Sequence, residues 1–184
     1  MEQISGGVCA AKGFTANGVH CGIRKNKTKR DLALIYSQFP ATAAAVYTSN
    51  LVKGAPLTVT KRHLADGSAR AVLCNSGNAN TCNANGIEVA EAMCSATANV
   101  LGISPSDVVV ASTGVIGQPL DPTPIKNALP DLANGLGDHS DLAAEAIMTT
   151  LGCTFDPTQQ GMFLWGRIPD HIADAEDLTE KVLH

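Results

Sequence analysis

Two short polar stretches, each following an apolar run, carry groups that could act on a ligand. Residues 75–80 read Asn-Ser-Gly-Asn-Ala-Asn, and their amides could orient a small molecule or could only form a turn-rich connection, because asparagine tolerates left-handed backbone. Residues 112–114 read Ser-Thr-Gly. The hydroxyl of Thr113 beside the backbone N–H of Gly114 predicts either a donor pair for a developing oxyanion, which glycine lets approach closely, or a simple tight turn.

The elements around these stretches alternate between strand and helix, which predicts an α/β or α+β enzyme-like fold. An apolar run at 69–74 predicts a strand leading into the asparagine-rich stretch, and the run at 108–111 predicts a strand buried on both faces before Thr113. Helical spacing with Gly102 as a stop predicts a helix over 86–101. Further expectations are helices over 122–132 and 141–149, the latter with Ser140 as N-cap, and strands at 46–48 and 57–60.

A basic run at 24–30 separates two apolar stretches, 19–23 and 31–37, and the pattern predicts a hairpin with a polar turn. The five Lys and Arg residues of that run could attract an anionic ligand such as a phosphate-bearing cofactor. The pattern favours the other alternative, a solvated hairpin tip that discourages strand pairing at the sheet edge.

Composition narrows the class of protein. The chain has 184 residues, is 45% hydrophobic and 16% charged, and has a formal net charge of −4, which fits one globular domain and argues against a nucleic-acid partner. No apolar stretch is long enough for a membrane span, and no leader pattern is visible, so the cytoplasm is the expected location. The six cysteines form no C-x-x-C and the five histidines no paired motif, so we expect buried thiols and no metal site.

Five segments in order carry a resemblance to a known family. They are Gly-Gly-Val with Lys-Gly-Phe at 6–14, Asp-Leu-Ala-Leu-Ile at 31–35, the asparagine-rich stretch at 75–80, Ala-Ser-Thr-Gly-Val-Ile-Gly at 111–117, and Ala-Ile-Met-Thr-Thr at 146–150. Together they resemble the N-terminal, α-chain part of the ornithine acetyltransferase family, the bifunctional glutamate N-acetyltransferases (ArgJ) of arginine biosynthesis. The resemblance implies an α/β fold of mixed sheets with flanking helices that is incomplete without a β chain.

The resemblance also implies a chemistry. Family precursors cleave themselves before a threonine in an N-M-A-T-M-L context, and the freed threonine carries the acetyl group from N-acetylornithine or acetyl-CoA to glutamate, a covalent route that divides acyl transfer into two steps. No metal or prosthetic group takes part. By position, Thr113 and Gly114 match the oxyanion-hole pair, and Thr149 matches a substrate-contacting residue with Thr150 as its neighbour. The implied partner is a β chain, in a heterotetramer of two α and two β chains.

The resemblance stops after residue 150, and this divides the chain into a family-like domain at 4–150 and a different tail at 151–184. The first 150 residues hold 11 basic and 11 acidic side chains, whereas the tail holds 2 and 6 and predicts a short amphipathic helix over 171–183. The family's nucleophilic threonine motif does not occur among these residues. We therefore keep two alternatives to an enzyme chain: a truncated, frameshifted or alternatively spliced product without catalysis, and a small-molecule binding module without turnover.

Overall fold

A mixed four-stranded sheet organises the protein. The computed structural model describes residues 5–148, 154–155 and 166–167. Strand order in the sheet follows chain order; the first two pairings are antiparallel and the last is parallel. The strands are β1 (Phe14–Val19), β2 (Leu32–Thr42), β3 (Ser68–Asn78) and β4 (Val108–Val115), with a separate antiparallel pair, β5 (Thr154–Phe155) and β6 (Gly166–Arg167).

Helices cover both faces of this sheet. They are α1 (Ala55–His63), α2 (Gly86–Leu101), α3 (Thr123–Asn134) and α4 (Ser140–Met148). The first three share one large core with the sheet, and α4 packs mainly on β1 and β2 from the opposite side. The predicted fold class, a mixed α/β arrangement with flanking helices, is confirmed.

Side chains alternate along β2 between a large apolar cluster on one side of the sheet and a small one on the other. Leu32 and Leu34 point into the large core, and Ala33 points into a smaller cluster with Ala16 and Ala143, since successive strand residues face opposite sides. All three β2 residues are buried. Burial of each leucine is worth roughly 1.5–3 kcal/mol, and the small alanines let α4 lie close to the sheet.

Several predicted elements are confirmed. The apolar run at 69–74 lies inside β3, α2 has the predicted bounds and α3 overlaps the predicted helix. Gly102 closes α2 in the left-handed conformation, at φ 65°. Ser140, the predicted N-cap, is instead the first residue of α4, and its hydroxyl accepts from the Cys9 backbone N–H and donates to the Gly6 carbonyl, at 3.1 and 2.7 Å. That hydroxyl therefore fastens the N-terminal segment to α4.

The predicted hairpin over 19–23 and 31–37 is wrong in its first arm. The first strand ends at Val19, and residues 20–31 have no strand structure. The cause is the carboxylate of Asp31, which accepts the backbone N–H groups of Cys21 and Arg24 and so diverts them from a sheet ladder.

Two further strand predictions fail for local reasons. Residues 57–60 lie in α1, because Pro56 sits in its first turn with a fixed φ and Val59 faces the core at helical spacing. Residues 46–48 have no regular structure, and Val46 is 98% exposed. Without a neighbouring strand, this segment cannot form the backbone hydrogen bonds of a sheet.

The predicted burial of β4 on both faces is also wrong. Val108 and Val110 are buried, Val109 is half-buried and Ala111 is exposed. One face of β4 stays open because β4 is the edge strand, whereas α4 packs mainly over β1 and β2 at the opposite edge.

Within the part of the chain that the structure describes, no helix combines the length and apolarity needed to cross a membrane. The predicted helix over 171–183 lies outside the described residues, and the division at residue 150 stays a prediction.

Gly18 tests how tightly α4 is seated on β1. A Cβ there would lie under 3.0 Å from the carbonyl group of Leu142 in α4. We expect Gly18→Ala to lower the free energy of unfolding by about 1–3 kcal/mol in urea titrations, as overpacking does. Amide hydrogen exchange should accelerate in α4 and not in α2.

The matched control is Gly67→Ala. Its φ is 75° and an added methyl meets no atom within 4 Å, so it should cost about 1 kcal/mol through backbone strain without affecting α4. Unchanged exchange in α4 for Gly18→Ala would contradict the close seating.

Candidate functional site

The two polar stretches singled out in the sequence lie side by side. They are not free loops, because β3 and β4 run through them as a parallel pair to Asn78 and Val115. The register sets Ser76 opposite Thr113 and Gly77 opposite Gly114. Parallel strands present their carboxyl ends at the same edge of the sheet. The fold thus brings both candidate stretches to one place, the carboxyl edge of β3 and β4.

A pair of glycines lets the two strand ends approach. Gly77 and Gly114 have φ values of 106° and 129°, a region that side-chain-bearing residues avoid. A Cβ on Gly114 would lie under 3.0 Å from the backbone of Gly77 and Asn78. Glycine at 114 is therefore required by the strand contact itself, independently of any role for its N–H group.

Thr113 stands on the uncovered face of the edge strand. It is exposed, like Ala111 two residues before it, and α4 lies over β1 and β2 rather than over this strand. On the neighbouring strand, the fully buried Ser76 occupies the paired position, and its hydroxyl accepts a hydrogen bond from the Arg24 Nε at 3.1 Å. The site therefore presents one accessible hydroxyl beside a buried one held by a guanidinium.

The asparagines of residues 75–80 mainly organise the backbone. Asn75 Nδ2 donates to the Asn78 carbonyl at 2.9 Å, and Asn78 Nδ2 donates to the Pro119 carbonyl at 3.2 Å. Asn80 Nδ2 donates to the Gly86 carbonyl at 2.7 Å, which joins this stretch to the start of α2. These bonds support the turn-forming alternative for Asn80 in particular.

Three buried polar atoms at the carboxyl edge lack partners. They are the Oδ1 atoms of Asn75 and Asn78 and the Oγ of Ser112, and among the described residues no other buried side-chain oxygen or nitrogen is in this state. Asn75 is 1% exposed. A buried acceptor without a donor costs about 1–3 kcal/mol, so native proteins rarely leave such groups together. The unsatisfied buried side-chain atoms of the described residues are therefore all found at this edge.

The sequence analysis identified the basic run at 24–30 but missed that the longer basic loop (residues 20–31) braces this edge through Asp31. The carboxylate of Asp31 is fully buried and accepts the backbone N–H groups of Cys21 and Arg24, at 2.6 and 2.8 Å. The ring Nδ1 of His20 lies 3.3 Å from it, and the Asp31 carbonyl accepts the Ser76 N–H at 2.9 Å. The sequence did offer a signal for this brace: Asp31 is a single acidic residue between the basic run and the apolar start of β2.

Burial disfavours the thiolate form, and so nucleophilic chemistry, at three of the described cysteines. Burial and the charge of Asp31 raise the pKa of the Cys21 thiol to about 12, and burial raises those of Cys74 and Cys94 to about 11 and about 12. Only a thiolate attacks carbonyl carbon readily. Groups of three or more His, Cys, Asp or Glu side chains able to hold a metal are absent from the described residues. Thr149, the predicted substrate contact, lies outside them.

A mixed sheet with helices on both sides defines a class of α/β protein, and solved ornithine acetyltransferase and ArgJ structures share this fold. The ornithine acetyltransferase of Mycobacterium tuberculosis, solved with ornithine, aligns with a TM-score of 0.73 at 37% identity, over 78% of this chain and 79% of that one. The bifunctional arginine biosynthesis protein ArgJ of Bacillus halodurans gives 0.72 at 37% identity, over 77% and 75%.

Sequence relatives name the family. The ArgJ family model matches residues 15–154, and the chain belongs to the ArgJ family, a family of acyltransferases. It is 50% identical over 155 residues to the bifunctional ArgJ protein of Gloeobacter violaceus and 45% identical over 152 residues to that of Thermosynechococcus vestitus. These alignments cover 82% and 81% of this chain but 37% and 36% of the relatives. The chain thus spans little more than a third of the length of these relatives.

Asp31→Asn tests the brace of the basic loop. The amide can accept one of the two backbone N–H groups and turns its own NH₂ toward the other. We expect the free energy of unfolding to fall by about 1.5–3 kcal/mol, the range for a lost hydrogen bond to a charged group. Hydrogen exchange should accelerate at Cys21, Arg24 and Ser76.

Asp66→Asn is the matched control, since Asp66 is exposed and accepts the Ser68 N–H at 3.0 Å. It should change stability by less than about 0.5 kcal/mol. Equal losses for the two variants would show that the burial of Asp31 does not matter.

Thiol labelling tests the electrostatics around the sheet. Because the raised pKa values keep Cys21, Cys74 and Cys94 protonated, iodoacetamide at about pH 8.5 should label the exposed Cys82 well before them. Their labelling should become fast only in urea, where the thiol pKa returns to about 8.5. Peptide mass mapping reads each site, and native labelling of Cys74 as fast as Cys82 would refute the assignment.

Proposed function

We propose that this chain supplies the oxyanion-hole wall of an acetyl-transfer site that moves an acetyl group from N-acetylornithine or acetyl-CoA to glutamate. The observation that carries the proposal is the in-register pairing of Ser76–Gly77 with Thr113–Gly114 at the carboxyl edge, with Thr113 exposed on the uncovered face. Membership of the ArgJ family and similarity to bifunctional arginine biosynthesis proteins support a role in that pathway.

The proposed chemistry uses a threonine on another chain as nucleophile. Its Oγ attacks the acetyl carbonyl, and the carbonyl oxygen becomes an oxyanion that the Thr113 hydroxyl and the Gly114 N–H stabilise. Collapse of the tetrahedral intermediate breaks the bond to the leaving nitrogen or sulfur, which takes up a proton. The glutamate amine then attacks the acetyl-threonine through the same kind of intermediate and releases the hydroxyl. The scheme requires no metal and no prosthetic group.

Exposed apolar residues near the edge support a protein partner. Val115 and Ile116, directly after Gly114, are 52% and 64% exposed, and large apolar side chains are exposed again between residues 39 and 52. A pair of exposed large apolar side chains beside the proposed site is a surface that a protein partner can cover. We infer a β chain of the same family in this place, in a heterotetramer of two α and two β chains.

Thr149 follows α4 and is proposed as a substrate contact. We infer a cytoplasmic location from the biosynthetic pathway.

The experiment combines the chain with a β chain, taken from the Gloeobacter violaceus relative, and follows acetyl transfer from N-acetylornithine to glutamate. In the active assembly, Thr113→Ala should slow transfer by about 10²–10³-fold, the cost of losing one oxyanion donor. The matched control is Thr58→Ala, an exposed threonine on α1, which should leave the rate unchanged.

The outcomes separate the alternatives. The chain alone should show no turnover, because the nucleophile belongs to the partner. Transfer by the chain alone would refute the two-chain site, and an unchanged rate for Thr113→Ala would remove that hydroxyl from the oxyanion hole. No transfer with any β chain, together with retained binding of N-acetylornithine, would favour a binding module without turnover.

A further inference from the structure

We propose that the basic loop binds the phosphate groups of the acyl donor, and so serves acetyl-CoA rather than N-acetylornithine. This inference rests on the proposed function of the carboxyl edge. Residues 24–30 hold five of the 13 Lys and Arg residues of the chain and no acid. The one acid of the basic loop, Asp31, is fully buried and faces inward to backbone N–H groups.

The backbone that carries these cations is pre-formed. Asn26 Oδ1 accepts the N–H and the hydroxyl of Thr28, at 3.0 and 2.7 Å, and the Asn26 carbonyl accepts the Lys29 N–H at 3.3 Å. At the base of the loop, His20 Nδ1 lies 3.0 Å from the Lys29 carbonyl. Bonds of this kind occur in many turns. Here they fix the backbone that carries the lysines, and a pre-formed loop spends less conformational entropy when an anion binds.

The five cations divide into two kinds. The two arginines hold the loop in place: Arg24 Nε donates to Ser76 Oγ, and Arg30 forms an ion pair with Glu145 of α4 and donates from Nε to the Gly18 carbonyl. The three lysines, at 25, 27 and 29, are exposed. They form a concentrated positive charge that the nearby acids do not offset, because Glu145 pairs with Arg30 and Asp31 is buried.

The loop adjoins the carboxyl edge directly. The Cγ of Arg24 would lie 2.8 Å from a Cβ on Gly77, so that side chain covers the strand end opposite Gly114. A donor with its acetyl group at Thr113 and Gly114 can therefore extend toward the lysines. In acetyl-CoA a long neutral arm separates the thioester from the phosphates, which suits a cationic element beside the acyl site. N-acetylornithine carries one carboxylate and one ammonium group and no phosphate, so it offers the lysines no comparable anionic group.

The direct test measures binding of adenosine 3′,5′-bisphosphate to the purified 184-residue chain by isothermal titration calorimetry. The combined variant Lys25→Gln, Lys27→Gln, Lys29→Gln should weaken binding by about tenfold or more. The charge-matched control Lys12→Gln, Lys53→Gln, Lys126→Gln changes three exposed lysines outside the loop and should stay within about twofold. Raising the salt from about 0.05 to 0.5 M should weaken wild-type binding.

Circular dichroism should show the wild-type spectrum for both triple variants. Equal affinities for the two triple variants, or no binding of the bisphosphate by the wild-type chain, would overturn the assignment of the loop.

A second measurement separates this inference from the proposed function. In the active two-chain assembly, the loop variant should raise the KM for acetyl-CoA by about tenfold and leave the KM for N-acetylornithine unchanged. An equal effect on both donors would overturn the donor role of the loop. If neither donor supports transfer in the wild-type assembly, the proposed function fails, whereas lysine-dependent bisphosphate binding would still support the anion site.

Discussion

The close approach of two backbones at Gly77 and Gly114 is the constraint on which the candidate site depends. Both residues adopt φ values that a side chain disfavours, and a Cβ at 114 has no room against the facing strand. The parallel ladder can therefore continue past the core to Val115. Without that continuation, Thr113 would have no fixed position relative to Ser76. The same contact that completes the sheet thus sets the geometry of the exposed hydroxyl.

Asp31 connects the basic loop to this strand end through hydrogen bonds. Its carboxylate takes two backbone N–H groups of the loop, while its carbonyl takes the N–H of Ser76 at the strand end. One residue therefore links the start of β2, the loop and the carboxyl edge. A buried carboxylate is tolerable because these donors replace the water it has lost. The exposed lysines of the loop then owe their placement to a buried carboxylate beside them.

Sequence reasoning succeeded where the determining physics is local. The apolar spacing of residues 86–101 with Gly102, and the apolar run before Asn75, identify α2 and β3 without knowledge of their neighbours. It failed where a neighbouring proline overrides composition, and where a distant strand decides. Residues 57–60 have strand-like composition, but Pro56 and the buried position of Val59 favour a helix. The pairing of Thr113 with Ser76 joins residues 37 positions apart, and no periodicity within either segment indicates it.

The uneven cover of the sheet explains why a site on this chain is open. The outer face of β4 is exposed at Ala111, Thr113 and Val115 because α4 lies over β1 and β2. Had α4 been shifted toward β4, the hydroxyl of Thr113 would be buried among alanines and would need an internal partner. Leaving the edge strand uncovered exposes apolar surface as well as the hydroxyl, so the feature that makes the site accessible also favours a partner chain to cover it. An oxyanion hole gains most of its strength where water is excluded, and a covering chain would supply that exclusion.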